Sequence, residues 1–236
     1  MSRISIVIFL IALLSTVKAF SGQKNCFVEH LKEAIEVNQQ RTSIYSRASD
    51  GESYWLSRHL IHFEKLILPL AKVYDRRARV YQRAGIALFC RDFVSMEGIP
   101  TIDHIPSQIP DTPIIRPKTQ AAQTKKLIYK TLRKKGIAAV TELLRIKVKQ
   151  LSQQPEYYCL GRHFLESALR AALLAPEYQK QAQAAGLKDP TKLISKFIKL
   201  QLRALVWAHG MDLKALPLQQ KGIPIFCSDV PEVLPL

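Results

Sequence analysis

Apolar residues recur along most of this chain at intervals of three and four, the spacing that lines up side chains on one face of an α-helix. Phe27, Leu31, Ala34, Ile35 and Val37 follow it, as do Leu56, Leu60, Phe63, Leu66, Ile67 and Leu70. Ser49-Asp50-Gly51-Glu52 supplies a start signal for the second of these helices. Pro69 predicts a kink or a division in it, residues 71–84 continue it, and Gly85 stops it. Residues 121–153 predict one or two further helices with a weak point at Gly136. Pro155 is expected to open a helix reaching residue 174. Pro176 is expected to start a short one ending at Gly186, and Asp189-Pro190 a last one ending near His209. Only residues 86–89 and 223–226 offer candidate strands, and both are short. The expected fold class is all-α.

The first nineteen residues have a different character. Arg3 precedes an apolar run over residues 4–14, and Val17-Lys18-Ala19 places small residues at the positions a signal peptidase reads. The run is about half of what a bilayer-spanning helix needs. It therefore predicts a cleaved signal peptide, with processing near Ala19 and a secreted or periplasmic product. Every later apolar stretch is interrupted by charge, so no transmembrane segment is expected after the leader is removed. Cleavage removes Arg3 and Lys18 and takes the net charge from +16 to +14.

A search for self-similarity aligns residues 85–92, Gly-Ile-Ala-Leu-Phe-Cys-Arg-Asp, with residues 222–229, Gly-Ile-Pro-Ile-Phe-Cys-Ser-Asp. The same offset of 137 aligns Leu68, Ala71, Asp75, Ala78 and Gln82 with Leu205, Ala208, Asp212, Ala215 and Gln219. An offset of 133 aligns Cys26, His30 and Glu33 with Cys159, His163 and Glu166. We read an internal duplication: a leader over residues 1–19, a first helical unit over 26–94 and a second over 155–230. Between the units lie a proline-rich connector, 95–120, and a helical insert, 121–153. Four cysteines in an exported chain should pair, and no Cys-x-x-Cys motif argues for a metal ribbon or a redox site. Two pairings respect the duplication: Cys26–Cys90 with Cys159–Cys227, or Cys26–Cys227 with Cys90–Cys159. The first, within each unit, is the expectation.

Candidate chemistry rests on the polar residues that recur: His30/His163, Glu33/Glu166, Asp75/Asp212, Gln82/Gln219 and Asp92/Asp229. His30 and Glu33 are one helical turn apart and share a face. Asp75 lies on a stripe of small residues (Ala71, Ala78, Gly85) that admits a neighbouring helix closely, so it should be buried and need a partner. His30 is the partner expected. The functional reading of His30, Glu33, Asp75, His163, Glu166 and Asp212 is a metal-dependent or acid–base hydrolytic site, and the structural reading is a buried network that fixes helix packing. The structural reading is preferred; no metal and no cofactor are expected. His59 and His62, near Glu64, match Lys196 and Lys199 at offset 137 and read as a solvated face. No nucleophile elbow, phosphate loop or dinucleotide fingerprint occurs.

Charge adds the remaining signal. Between Arg116 and Lys149 lie eleven basic residues and one acid, Glu142, interleaved with apolar positions at helical spacing. Most of the mature net charge thus falls between the two units. Lys125, Lys126, Lys130, Arg133, Lys134 and Lys135 are the candidate anion-binding residues. In an exported protein the matching partner is an anionic envelope surface or polymer, a lipid headgroup or a polysaccharide, and not a specific nucleic-acid site. The function expected is binding or scaffolding in the cell envelope or the extracellular space.

Overall fold

The computed structural model describes residues 25–47, 51–90, 117–151, 158–223 and 225–227. The expected leader, most of the proline-rich connector, Asp92 and Asp229 lie outside them. Five helices are formed: α1 (Cys26–Arg47), α2 (Gly51–Arg83), α3 (Pro117–Leu151), α4 (Cys159–Ala184) and α5 (Thr191–Gln220). Among the described residues there is no strand.

α1 and α2 pack on one another as a hairpin, and so do α4 and α5. α2 lies against α5, which joins the two hairpins, and α3 packs on α4 and α5. Disulfides link Cys26 with Cys90 and Cys159 with Cys227, so each ties the start of one hairpin to the turn that follows its end. Every cysteine is used. Two apolar clusters fill the interior. The larger runs from Phe27 and Ala78 through Phe89 and Phe197 to Ile128 and Leu144 of α3. The smaller gathers Leu56, Leu60, Leu160, Met211, Leu218 and Phe226. α3 presents Ile128, Leu132, Val140 and Leu144 to this core. It bends at Gly136, whose φ of 78° interrupts the helix at the weak point seen in the sequence.

Several helix boundaries differ from the sequence reading. α4 begins at Cys159, after Tyr158 in the left-handed region (φ 57°), and not at Pro155. It then runs straight through Pro176, where a new helix was expected. α5 likewise continues past His209 and through Pro217 to Gln220, and α2 is one helix across Pro69. The reason is common to all three prolines. Each faces solvent, while the buried stripe continues on the other side, as with Ala172, Ala175, Tyr178 and Ala182 of α4. Burial over two further turns outweighs one missing backbone hydrogen bond.

The candidate strands are turns. Gly85 and Gly222 adopt φ of 82° and 83°, a left-handed geometry that only glycine takes at little cost. The following amides then close the helix ends: Ile86 N–H donates to Tyr81 C=O and Ile223 N–H to Leu218 C=O, both at 3.0 Å. Phe89 and Phe226, just before the second cysteine of each bridge, also have positive φ, 67° in both. Such a conformation costs on the order of 1–3 kcal/mol in a non-glycine residue. Both rings are fully buried, and that burial holds the turn in place.

Candidate functional site

The recurring aspartates, Asp75 on α2 and Asp212 on α5, bring their carboxylates to the starts of α1 and α4. Phe27 N–H donates to Asp75 Oδ1 at 3.2 Å and Val28 N–H to Asp75 Oδ2 at 2.9 Å. In the other hairpin Leu160 N–H donates to Asp212 Oδ1 at 3.1 Å and Gly161 N–H to Asp212 Oδ2 at 2.8 Å. Each carboxylate therefore satisfies two of the amides that a helix start leaves without an intrahelical acceptor. It also lies where the helix dipole favours negative charge. The expected partner, His30, is not the one used: the first-turn amides reach both oxygens of Asp75. A Cβ on Gly161 would stand 3.1 Å from Asp212 Oδ2 and 3.1 Å from His209 Cε1, so the second clasp closes because residue 161 has no side chain.

The recurring glutamines hold the turns. The Gln82 side-chain amide donates to Leu88 C=O at 3.0 Å and the Gln219 amide to Ile225 C=O at 2.9 Å. Each also approaches the sulfur of its own bridge, Cys90 Sγ at 3.5 Å and Cys227 Sγ at 3.4 Å.

Burial sets the protonation of this region. It raises the Asp75 carboxyl above the usual carboxylate range, against the opposing pull of the Val28 and Phe27 amides and of Arg79. It pushes Asp212 up to about 7, despite the Gly161 and Leu160 amides and Arg162. His209 is driven down to about 4, again by burial.

His30 and His163 meet across the hairpins. Their rings lie nearly parallel, 10° apart, with centroids separated by 6.1 Å. They line a cleft between α1, α2, α4 and α5 whose walls are mainly apolar, with Phe27, Leu31, Phe63, Ile67, Phe164 and Leu200 among them. The cleft encloses about 600 Å³ including its mouth. Glu64 and Gln201 also line it. Glu64 is buried, unlike its neighbours His59 and His62, and its Oε1 accepts the Asn38 side-chain amide at 2.8 Å. A faint signal for this pair does exist in the sequence, because offset 137 sets Glu64 against Gln201, of the same length and shape.

The remaining candidates are dispersed. Glu33 is half-buried on α1, and Glu166 lies 3.8 Å from Arg162 one turn away. His59 is exposed and stacks on Trp55 at 3.8 Å, and His62 is exposed too. Among the described residues no three of His, Cys, Asp and Glu are grouped so as to hold a metal ion. On α3, Lys126, Lys130, Arg133, Lys134 and Lys135 are exposed and Lys125 is half-buried. Among the described residues no helix is long and apolar enough to cross a membrane.

Set against known proteins, the chain matches no family model, no curated protein and no solved structure.

Proposed function

We propose that this chain is an exported binding or scaffolding protein that docks on an anionic envelope surface or polymer through the outer face of α3. One observation carries the reading. Lys126, Lys130, Arg133, Lys134 and Lys135 project into solvent from a helix whose opposite side, Thr124, Ile128 and Leu132, is buried against the second hairpin. Folding therefore uses the apolar side and leaves the cationic side free for a partner. Acidic residues do not dilute it: the one acid between Arg116 and Lys149, Glu142, lies beyond the bend and 4.0 Å from Arg145.

Two further elements belong to this proposal. The hairpins are copies of one ancestral unit. Asp75 and Asp212 clasping a helix start, Gln82 and Gln219 holding a turn, and Phe89 and Phe226 at the same φ all support that reading. Export follows from the leader over residues 1–19, and two disulfides are compatible with an oxidising compartment.

The test changes Lys125, Lys126, Lys130, Arg133, Lys134 and Lys135 together to Gln. Each basic residue near an anionic leaflet contributes about 1 kcal/mol, so single changes are too small to decide. The parent should bind phosphatidylglycerol vesicles or a sulfated polysaccharide and release them as salt is raised, since screening at physiological salt acts within about 8 Å. The substituted protein should lose both while its melting curve is kept. Equal binding by the two proteins would show that the face is only solvated.

A further inference from the structure

We propose that the outer face of α2 and the pocket at its edge form a docking site for a phosphomonoester lipid in a bilayer. Arg58, His62 and Lys65 hold the phosphate, and an apolar row beside them meets the acyl region. The site lies on a different helix from the cationic face of α3 and does not need the lysines of that face.

The row comes first. α2 packs on α1 and α5, and a stripe of large apolar side chains turns away from both. Trp55, Leu66, Leu70, Val73 and Val80 are all exposed. They are spaced by 11, 4, 3 and 7 residues, so they share one side of the helix. Arg58, Lys65, Lys72, Arg76 and Arg83 are exposed along one edge of that row, at steps of 7, 7, 4 and 7. The acids of the same stretch, Glu64 and Asp75, are buried. Beyond Glu52 the exposed side of α2 therefore offers hydrocarbon and positive charge, and no negative charge. That combination belongs to helices that lie in the headgroup layer of an anionic membrane. A second copy of the chain would set the basic edge against its own like, which repels.

The pocket is the second, independent observation, and it selects the head of the ligand. It opens between α1 and α2 and encloses about 640 Å³ including its mouth. Gln39, Tyr54, Arg58, His62 and Lys65 line it, and no acid does. Arg58 is steadied there: its Nη1 donates to the Tyr54 hydroxyl at 3.3 Å, and the guanidinium carbon lies 5.7 Å from the centroid of the same ring. A guanidinium has five N–H donors, so the rest of the fork remains for phosphate oxygens, the acceptors it matches best. The permanent charges of Arg58 and Lys65 balance the nearly double negative charge of a phosphomonoester; a phosphodiester brings only one. The row begins at the rim of this pocket, because Leu66 follows Lys65 directly and stands one turn from His62. A soluble phosphate compound would fill the pocket and leave the row in water. A lipid uses both.

Trp55 sits in the row and reports on it directly, and Trp207→Phe leaves it the sole tryptophan. The disulfide-intact protein is mixed with phosphatidylcholine vesicles containing dioleoyl phosphatidate, phosphatidylglycerol or neither, and flotation and Trp55 emission are followed. The six-residue Gln variant of α3 is carried in parallel, which removes the contribution of α3. That variant should still float with phosphatidate vesicles, with Trp55 emission shifted to the blue and quenched by brominated acyl chains. It should bind phosphatidylglycerol vesicles about fivefold more weakly, for one charge fewer in the pocket. Arg58→Gln with Lys65→Gln should weaken phosphatidate binding about thirtyfold. If loss of the Arg58–Tyr54 contact disturbs folding, Lys65→Gln with Lys72→Gln tests the same edge and should weaken it as well. Leu66→Gln with Leu70→Gln changes only exposed positions, so it should fold, lose the blue shift and bind about tenfold more weakly. No flotation with phosphatidate vesicles, equal binding of the two anionic lipids by the α3 variant, unshifted Trp55 emission on bound vesicles, or full affinity in the folded edge or row variants would each overturn the assignment.

Discussion

The α1–α2 and α4–α5 hairpins carry the same clasp, and their surroundings separate them. Burial raises both carboxyls and an arginine opposes it at each, Arg79 at Asp75 and Arg162 at Asp212, but Asp212 is fully enclosed, with His209 and Gly161 against it, and is pushed up to about 7. The first hairpin is tied internally by a polar set. Asn38 donates to Glu64, the Thr42 hydroxyl donates to Asn38 C=O at 2.6 Å, and Thr42 meets Ser57 at 2.5 Å. The second hairpin is sealed instead by α3, whose Tyr129 hydroxyl donates to Lys199 C=O at 2.7 Å. Exposure follows suit. Trp55, Leu66, Leu70, Val73 and Val80 are exposed on α2, and no large apolar residue is exposed on α4 or α5. Two identical hydrogen bonds can thus serve different carboxyl groups, and the surrounding desolvation decides how readily each one ionises.

The largest test of that comparison is covalent. Closing loops with sequence separations of 64 and 68 stabilises by about 4 kcal/mol each in the chain-entropy model. Cys26→Ala with Cys90→Ala, and Cys159→Ala with Cys227→Ala, should therefore cost nearly the same in urea unfolding. A much larger loss for one bridge would show that its hairpin depends on the bond in a way the other does not.

The clasps come next. Asp75→Ala and Asp212→Ala should each cost about 1–3 kcal/mol, because two helix-start amides lose their acceptor. Thermal melts unchanged by either substitution would mean that the carboxylate contributes nothing there. Gly161→Ala separates the two hairpins more sharply. The added methyl must push aside Asp212 and His209, at a cost of about 1–3 kcal/mol.

Much of this was legible beforehand. Period-three-and-four spacing marked the helical regions, with α4 divided in two, and the even cysteine count with the expected leader pointed to two bridges. Helix ends were misread at Pro176 and near His209, since a sequence does not reveal that Pro176 and Pro217 point to solvent while their neighbours stay buried. The partner of Asp75 was misassigned for a related reason. His30 was the obvious polar side chain, but backbone amides carry no letter of their own. The cleft was missed altogether, because its lining comes from four helices and depends on α2 lying against α5.

The smallest effect expected is in the pH dependence. Asp212 is raised from 3.8 to about 7 in the folded state. Its contribution is complete below the unfolded value and is lost as pH rises toward 7. His209 is lowered from 6.5 to about 4, so its contribution is complete above 6.5 and is lost as pH falls toward 4. Between about pH 4 and 6.5 these two slopes oppose each other, leaving the parent mainly the shallower loss with rising pH that the raised Asp75 carboxyl adds. His209→Gln should expose a melting temperature that falls as pH rises through this window. Asp212→Asn should expose one that falls as pH drops. Parallel pH profiles in all three proteins would remove the distinction between the clasps.

The two bridges also have a topological consequence. Each closes its hairpin into a macrocycle, and residues 91–158, with α3 among them, form an open tether between the two rings. A single cut anywhere inside a ring leaves every atom covalently attached until the sulfurs are reduced. One cut in the tether divides the chain into two ring-bearing pieces at once. A second cut, on the other side of α3, frees the cationic helix covalently from both rings, leaving it held by packing of residues such as Ile128, Leu132, Val140 and Leu144 and by the Tyr129 hydroxyl on Lys199 C=O. Proteolysis, with or without reductant, therefore treats the rings as armour and the tether as a release point.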